Sequence, residues 1–208
     1  MGGYLRRAAW LEAQAEGAFD RLTEELTAHG GPDALVRAAR RSAREEARHA
    51  ERLRALCDRR GLRAVPSPEA PRTVRPLADV AIENATEGCA GETWGALLAM
   101  HQAATARDPE VRAAMTVVAR DEARHAALAW AVHRWALETL DDAACGRVER
   151  AADEAWDALE RAVSADPPAH LAVPLGLPDG ATALRLARAL RASLRGRGTR
   201  ARRARATC

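Results

Sequence analysis

Lysine is absent from this sequence of 208 residues, and all 32 basic residues are arginine. Aromatic residues make up only 3% of the chain, with one tyrosine and one phenylalanine. The four cysteines form no C-x-x-C pair, which excludes a disulfide framework and the tetrahedral cysteine sites that hold zinc or a single iron. No apolar run is long enough to span a bilayer and no signal peptide is recognisable, so we expect a cytoplasmic protein without a membrane partner.

Acidic residues are absent after Asp179, where nine of the arginines lie. The first 179 residues therefore carry 23 arginines against 29 acidic residues, a formal charge of −6. Such a body lacks the cationic surface that nucleic-acid-binding proteins present, so nucleic acid is disfavoured as a partner. The basic segment 196–208 is expected to be a disordered, solvated tail.

Alanine dominates the apolar residues, a composition that favours long helices packed closely together. Glycine and proline breaks predict helices over the ranges 4–28, 33–60, 78–106, 109–139, 142–163 and 181–195. The first four are joined by short, long and short connections, which indicates two antiparallel hairpins linked by one crossover. We therefore divide the chain into a four-helix bundle (1–139), two accessory C-terminal helices (140–195) and the tail.

Two heptapeptides, REEARHA at 44–50 and RDEARHA at 120–126, differ at a single position. Their offset of 76 residues repeats the order helix, turn, helix, which indicates an internal duplication. Each carries a glutamate and a histidine three residues apart: Glu46 with His49, and Glu122 with His125. On helical wheels both pairs lie at the centre of an apolar stripe, and we interpret the neighbouring arginines as solvent-facing.

A carboxylate and an imidazole on a core-facing stripe are costly unless something satisfies them. Two facing Glu-x-x-His pairs supply half of a dinuclear metal site, and one inward carboxylate from each remaining helix supplies the other half. In the first helix Glu12 lies within the apolar stripe and is the first choice. Glu16, at the edge of the stripe, is the alternative.

The third helix offers three carboxylates for this site. Glu87 is the first choice because it lies on the face of large apolar residues, 35 residues before Glu122. Glu92 ranks second: it lies on a separate face of alanines, although alignment of the two repeats favours it. Glu83, on the same face as Glu87, ranks third.

These residues resemble the ligand set of the ferritin-like di-iron carboxylate superfamily, over residues 4–139. More narrowly, EGCAGETWGALLA at 87–99 and RDEARHAALAW at 120–130 are similar to small bacterial ferritin-like domain proteins, which carry E-G-C-x-G-E-T and D-E-x-R-H-A there. The resemblance implies an all-α fold with a ferritin-like four-helix bundle, to which the breaks in the sequence add the two C-terminal helices. It also implies that Asp121 and Glu45, which precede the motif glutamates, hydrogen-bond the partner histidines.

The resemblance implies two iron ions, with manganese or a manganese–iron pair as alternatives, because an oxygen-rich set with two histidines suits these metals better than zinc. It further implies an oxidase, hydroxylase or peroxidase-like oxidoreductase that uses O₂ or peroxide, a small organic substrate and an electron donor, and it allows a homodimer. The alternatives are a ferroxidase or iron-storage protein, and a metal-free helical module with a nucleic-acid-binding tail. The single tyrosine argues against a radical-storing ribonucleotide reductase subunit, and the missing cysteine pairs argue against a complete rubrerythrin.

Overall fold

A computed structural model describes residues 2–63 and 73–206 of the chain, without the side chains after Arg195. The regular structure in these ranges is all helical. None of the helices there is long and apolar enough to cross a membrane. In chain order they are α1 (Gly2–Ala28), α2 (Asp33–Asp58), α3 (Leu77–Glu83, Asn84–Glu92 and Thr93–Thr105), α4 (Pro109–Thr139), α5 (Asp142–Val163), α6 (Ala169–Leu175) and α7 (Gly180–Ala206).

The first four helices pack as two hairpins, α1 on α2 and α3 on α4, and the hairpins meet where α2 faces α4. Apolar clusters fill both ends of this bundle. One contains Leu5, Leu53 and Val111, and the other contains Leu26 and Val132. The Glu-x-x-His motifs lie between the two clusters along the chain of α2 and α4, so the bundle holds them in its middle.

The turn residues explain where the helices begin. The Asp108 carboxylate accepts hydrogen bonds from the backbone N–H groups of Glu110 (2.9 Å) and Val111 (3.2 Å), and so caps α4. Asp141 caps α5 in the same way through the N–H of Ala144. The predicted ranges 109–139 and 142–163 agree with the observed bounds, because each break carries its own capping side chain.

Helix α6 lies inside 164–180, a stretch for which the prolines predict a connection without a helix. It ends at Gly176, which has a φ of +64°. An added Cβ there would lie 2.4 Å from the backbone nitrogen of Ala106. This close approach, which only glycine permits, seats the buried Leu175 against the end of α3.

The C-terminal helices lie outside the bundle: α5 packs on α3, and α7 packs on α5. Arg191 of α7 forms ion pairs with Asp153, Asp157 and Glu160 of α5 at 3.1, 2.6 and 3.2 Å. The backbone of α7 continues as helix into the segment predicted to be disordered, but the side chains of 196–208 lie outside the described residues. Part of the predicted crossover, residues 64–72, lies outside them as well.

Candidate metal centre

The two Glu-x-x-His pairs come together at the middle of the bundle. Residues three apart share one face of a helix, so α2 presents Glu46 and His49 together, and α4 presents Glu122 and His125. The centroids of the two imidazole rings are 6.0 Å apart. Glu46 and both histidines are at most 1% exposed, and Glu122 is 8% exposed. Four polar side chains therefore share one buried place.

Helices α1 and α3 add one carboxylate each, Glu12 and Glu92. Glu12 Oε2 lies 3.4 Å from His49 Nδ1, and Glu92 Oε2 lies 4.0 Å from His125 Nδ1. The side chains form two groups whose ligand atoms lie within 4.8 Å of one another: Glu12, Glu46, His49 and Glu122, and Glu46, Glu92, Glu122 and His125. Glu46 and Glu122 belong to both groups, so they are placed to serve two ions at once.

The first choice on α3, Glu87, is exposed and joins neither group. Residues Asn84–Glu92 form a π-helix, whose hydrogen bonds join residues five apart. Each residue then turns by less than the roughly 100° of an α-helix, so a wheel drawn at 100° misassigns the faces that follow. The face of Ala96 and Ala99, which the wheel separates from the large residues, is buried and carries Glu92 into the bundle.

Close contacts hold the π-helical segment against α4. The Asn84 side-chain amide donates a hydrogen bond of 3.0 Å to the carbonyl oxygen of Ala129. At Gly88 an added Cβ would lie 2.9 Å from both Ala129 Cβ and Asn84 Oδ1, closer than real side chains allow. These contacts fix the rotation of α3 that turns Glu92 inwards.

The two remaining carboxylate candidates lie outside the centre. Glu83 pairs with Arg21 at 2.6 Å and with Arg75, which also binds the buried Glu25. Glu16 is half-buried on α1 and belongs to neither group. Glu83 thus helps to attach the end of the crossover to the bundle.

Asp121 and Glu45 lie directly behind the histidines of the opposite hairpin. Asp121 Oδ2 is 3.0 Å from His49 Nε2, and Glu45 Oε2 is 3.0 Å from His125 Nε2. Because an ionised carboxylate can only accept, each Nε2 must carry the hydrogen of this bond. The other ring nitrogen, Nδ1, then faces the centre, the orientation that metal-binding histidines adopt.

Arg124 joins these two outer carboxylates, whereas the heptapeptide pattern predicts that this arginine faces solvent. Its guanidinium donates to Glu45 Oε1 at 2.8 Å and to Asp121 Oδ1. Burial raises the pKa of Asp121, but hydrogen bonds from His49 and Arg124 outweigh it and lower that pKa below its usual value. Asp121 and Arg124 are three residues apart on one helix, and this spacing alone indicates that the two side chains can pair.

Three buried atoms that face the centre make no hydrogen bond with the described residues: His49 Nδ1, His125 Nδ1 and Glu46 Oε2. An unsatisfied buried polar group costs about 1–3 kcal/mol. Two metal ions among the carboxylates would satisfy all three atoms. A set of four carboxylates and two imidazoles fits iron or manganese in chemistry as well.

The charges of the centre are strongly coupled. Burial opposes protonation of the histidines, yet the surrounding glutamates raise the pKa of His49 to about 10 and that of His125 to about 11. Burial raises the pKa of Glu46, but its attraction to the neighbouring His125 and His49 prevails and lowers that pKa to about 2. Burial, together with the other glutamates, raises the pKa of Glu12 to about 8 and that of Glu92 well above its usual range. Cations placed here would compete with these protons.

Two cavities adjoin the centre. The larger, of about 260 Å³, contains the carboxylates of the centre in its wall and continues along α1 and α3 between apolar side chains. The smaller, of about 70 Å³, lies on the other side of Glu92 and has Glu83 and Glu87 in its wall. Glu92 lines both cavities.

The sequence matches the family model for rubrerythrin over residues 4–129. The chain belongs to the rubrerythrin family. No curated protein and no solved structure matches the chain significantly. The matched range contains all six side chains of the two groups and both outer carboxylates.

Membership of the rubrerythrin family confirms the predicted ferritin-like helical fold and indicates a di-iron carboxylate protein. The buried cluster of carboxylates and imidazoles fits such a centre. The match lies in the helical bundle, and none of the four cysteines of the sequence forms the C-x-x-C pair of a rubredoxin-type site.

Proposed function

We propose that this rubrerythrin-family chain is a non-haem dinuclear iron oxidoreductase that oxidises a small organic substrate with O₂ or peroxide. Iron bound in the centre, or manganese in one or both positions, supplies the redox chemistry. The ligands we propose are Glu12, Glu46, His49, Glu92, Glu122 and His125. Glu46 and Glu122 would help to hold both ions, because they belong to both groups of ligand atoms.

The balance of the reaction defines its co-reactants. With peroxide, the substrate gives up two electrons and two protons, and peroxide is reduced to water. With O₂, transfer of one oxygen atom to the substrate and reduction of the other to water consume two further electrons and two protons. An electron donor is therefore part of the proposal whenever O₂ is the oxidant.

The larger cavity is the observation that favours an enzyme over an iron-storage protein. Storage requires access for iron and water, whereas the wall of this cavity is mainly apolar beyond the carboxylates. Binding sites for small organic molecules are concave and mostly apolar, with a few placed polar groups. An organic molecule in this cavity would lie directly against the centre.

Metal analysis after anaerobic Fe(II) loading tests the proposal. We expect two ions per wild-type chain and far fewer in Glu46→Gln and Glu122→Gln, since each substitution removes a ligand from both groups. Glu51→Gln, an exposed position on the same helix as Glu46, is the matched control and should keep two ions. A wild type that binds neither iron nor manganese refutes the proposal.

A ferroxidase without an organic substrate is the second candidate, and the smaller cavity supports it. The exposed Glu87 and the inner Glu92 both line this cavity, which offers a cation a path between carboxylates. A ferroxidase should consume O₂ with Fe(II) alone over many turnovers, and Glu87→Gln should slow that consumption. An oxidoreductase should instead consume O₂ only with an organic substrate and a reductant present.

A metal-free interaction module has less support. It leaves three buried polar atoms unsatisfied, and ion pairs with α5 already engage Arg191, as well as Arg188 at 3.1 Å from Glu160. Such a module should bind nucleic acid with an affinity that falls steeply as the salt concentration rises, and a metal chelator should not change that affinity.

A further inference from the structure

Among the described residues, the charge in the wall of the larger cavity lies at one end. The charged residues that line it there are Glu12, Glu46, Glu92 and Glu122, which also form the metal centre. The rest of the wall is apolar apart from Tyr4 and Gln102. A bound molecule would therefore meet charge only where it reacts.

The cavity is elongated along the bundle. Tyr4 precedes Glu12 by eight residues and Gln102 follows Glu92 by ten, so at about 1.5 Å per residue the wall extends roughly 12–15 Å from the centre. An apolar cavity of about 150 Å³ in another protein holds benzene. A volume of about 260 Å³ has room for a longer molecule.

Small side chains create this space. Ala8 of α1 and both Gly95 and Ala99 of α3 form part of the wall. A Cβ added at Gly95 would approach only Glu122 Oε2, at the ordinary contact distance of 3.7 Å. Helix packing therefore does not require glycine there, and the small residue leaves the cavity open.

The far end of the cavity is polar but uncharged. The Gln102 side-chain amide donates to the backbone oxygen of Leu175 at 2.9 Å and lies 3.5 Å from the Tyr4 hydroxyl oxygen. Since Tyr4 accepts in that contact, its own hydrogen can be donated to an acceptor in the cavity. At this end of the cavity an ionised group would have no oppositely charged lining residue beside it, and burying an unpaired charge is costly.

We propose that the substrate is an elongated, uncharged and mainly apolar molecule: an alkyl chain with at most one uncharged polar group, such as a hydroxyl. The polar end lies at Tyr4 and Gln102, and the apolar end lies against Glu92 and Glu122. This assignment names the substrate class of the proposed oxidoreductase and rests on that function.

Calorimetric binding of n-butanol, n-hexanol and n-octanol to the anaerobic, metal-loaded protein tests the assignment. Burial of each added CH₂ should lower Kd about fourfold, until the chain exceeds the length of the cavity. Octanoate, which has the same chain length as octanol but an ionised end, should bind the metal-free protein at least tenfold more weakly than octanol does, because no iron is present there to bind its carboxylate. Equal Kd values along the alkanol series, or equal Kd values for octanol and octanoate, overturn the assignment.

Two substitutions that fill the cavity locate the binding site. Ala8→Leu and Ala99→Leu should weaken octanol binding at least tenfold and leave butanol binding nearly unchanged. Ala13→Leu and Ala104→Leu place the same side chain on the same helices outside the cavity wall, and octanol binding should be unaltered. Wild-type octanol binding in both filled variants places the ligand elsewhere and refutes the site. Should neither filled variant fold, the ligand series on the unmodified protein decides the question alone.

Binding and oxidation of the alkanols are measured separately, so that failure of the substrate assignment can be distinguished from failure of the proposed function. If octanol binds as expected but no alkanol of the series is oxidised, either by O₂ with a reductant or by peroxide, the oxidoreductase proposal fails and the apolar site stands. If the protein oxidises a charged, hydrophilic substrate and alkanol length has no effect on Kd, only the substrate class is refuted.

Discussion

Replacing Glu92 or Glu87 by glutamine tests which carboxylate of α3 serves the metal centre. The two positions are five residues apart within the π-helical segment. Glu92→Gln removes one of the three carboxylates around one ion, whereas the group that contains Glu12 and His49 keeps all its members. Loss of an outer hydrogen-bond partner of a metal ligand already costs about 10–100-fold in affinity. Loss of a direct ligand should therefore weaken one ion about 100-fold or more and leave the other nearly unchanged.

Glu87→Gln changes only an exposed charge, so both affinities should remain within about twofold of wild type. Anaerobic Fe(II) titration, read by metal content after desalting, measures both variants. Urea unfolding of the metal-free proteins supplies the control for folding. Burial and then the neighbouring Glu122 raise the pKa of Glu92, so its charged form is disfavoured in the fold and a neutral amide should not reduce the free energy of unfolding.

The result that refutes this reasoning is specific. Loss of one ion in Glu87→Gln, with two ions retained in Glu92→Gln, would mean that the π-helical segment does not turn Glu92 inwards. Two tightly bound ions in both variants would mean that α3 supplies no essential ligand.

Three further predictions concern the surroundings of the centre. Asp121→Asn should lower the affinity for iron about 10–100-fold, because the asparagine would orient His49 less firmly. Helicity measured by circular dichroism should not change. Wild-type affinity in this variant would show that the contact is dispensable. Gly88→Ala should lower the free energy of urea unfolding by about 1–3 kcal/mol, because the added Cβ would lie too close to Ala129. Gly91→Ala is the control and should not lower it, because no atom lies nearer than 3.8 Å to the added Cβ. Equal effects of the two substitutions would contradict the role of this close packing. Burial raises the pKa of Glu83, but its two arginine partners prevail and lower it below the usual 4.5. The pairing therefore stabilises the fold above pH 4.5, and this gain is lost as the pH falls through the lowered pKa. The difference in unfolding free energy between wild type and Glu83→Gln should be present at pH 7 and shrink as the pH falls below 4.5; a constant difference would exclude the linkage.

Most residues of the metal centre could be predicted from the sequence, because they lie close together in short motifs. A glutamate and a histidine three residues apart share one face of any α-helix, so Glu46 with His49 and Glu122 with His125 were recognisable without knowledge of the packing. Capping residues in the breaks likewise marked the beginnings of α4 and α5. That Glu92 joins the metal centre could not be predicted in this way, because its direction depends on the π-helical segment, in which each residue turns by less than in an α-helix.

Contacts between segments that are far apart in the sequence also could not be predicted from sequence patterns. Arg124 reaches Glu45 of the other hairpin, 79 positions away, and its two bonds join the outer carboxylates across the bundle. The cavity exists because small residues of α1 and α3 face each other, with Leu175 from the unforeseen helix α6 also in its wall. Each feature requires the relative placement of helices that share no local pattern.

By itself, the sequence determined an all-helical bundle with a repeated carboxylate–imidazole motif turned into its core, because helical period and capping are properties of short segments. Only the tertiary structure decided which α3 carboxylate completes the centre, which arginine supports it and where a substrate can lie. The physical reason is that these features depend on how far each helix is rotated against its neighbours. That rotation is set by contacts such as Asn84 and Gly88 against Ala129, which no periodicity along a single helix reveals.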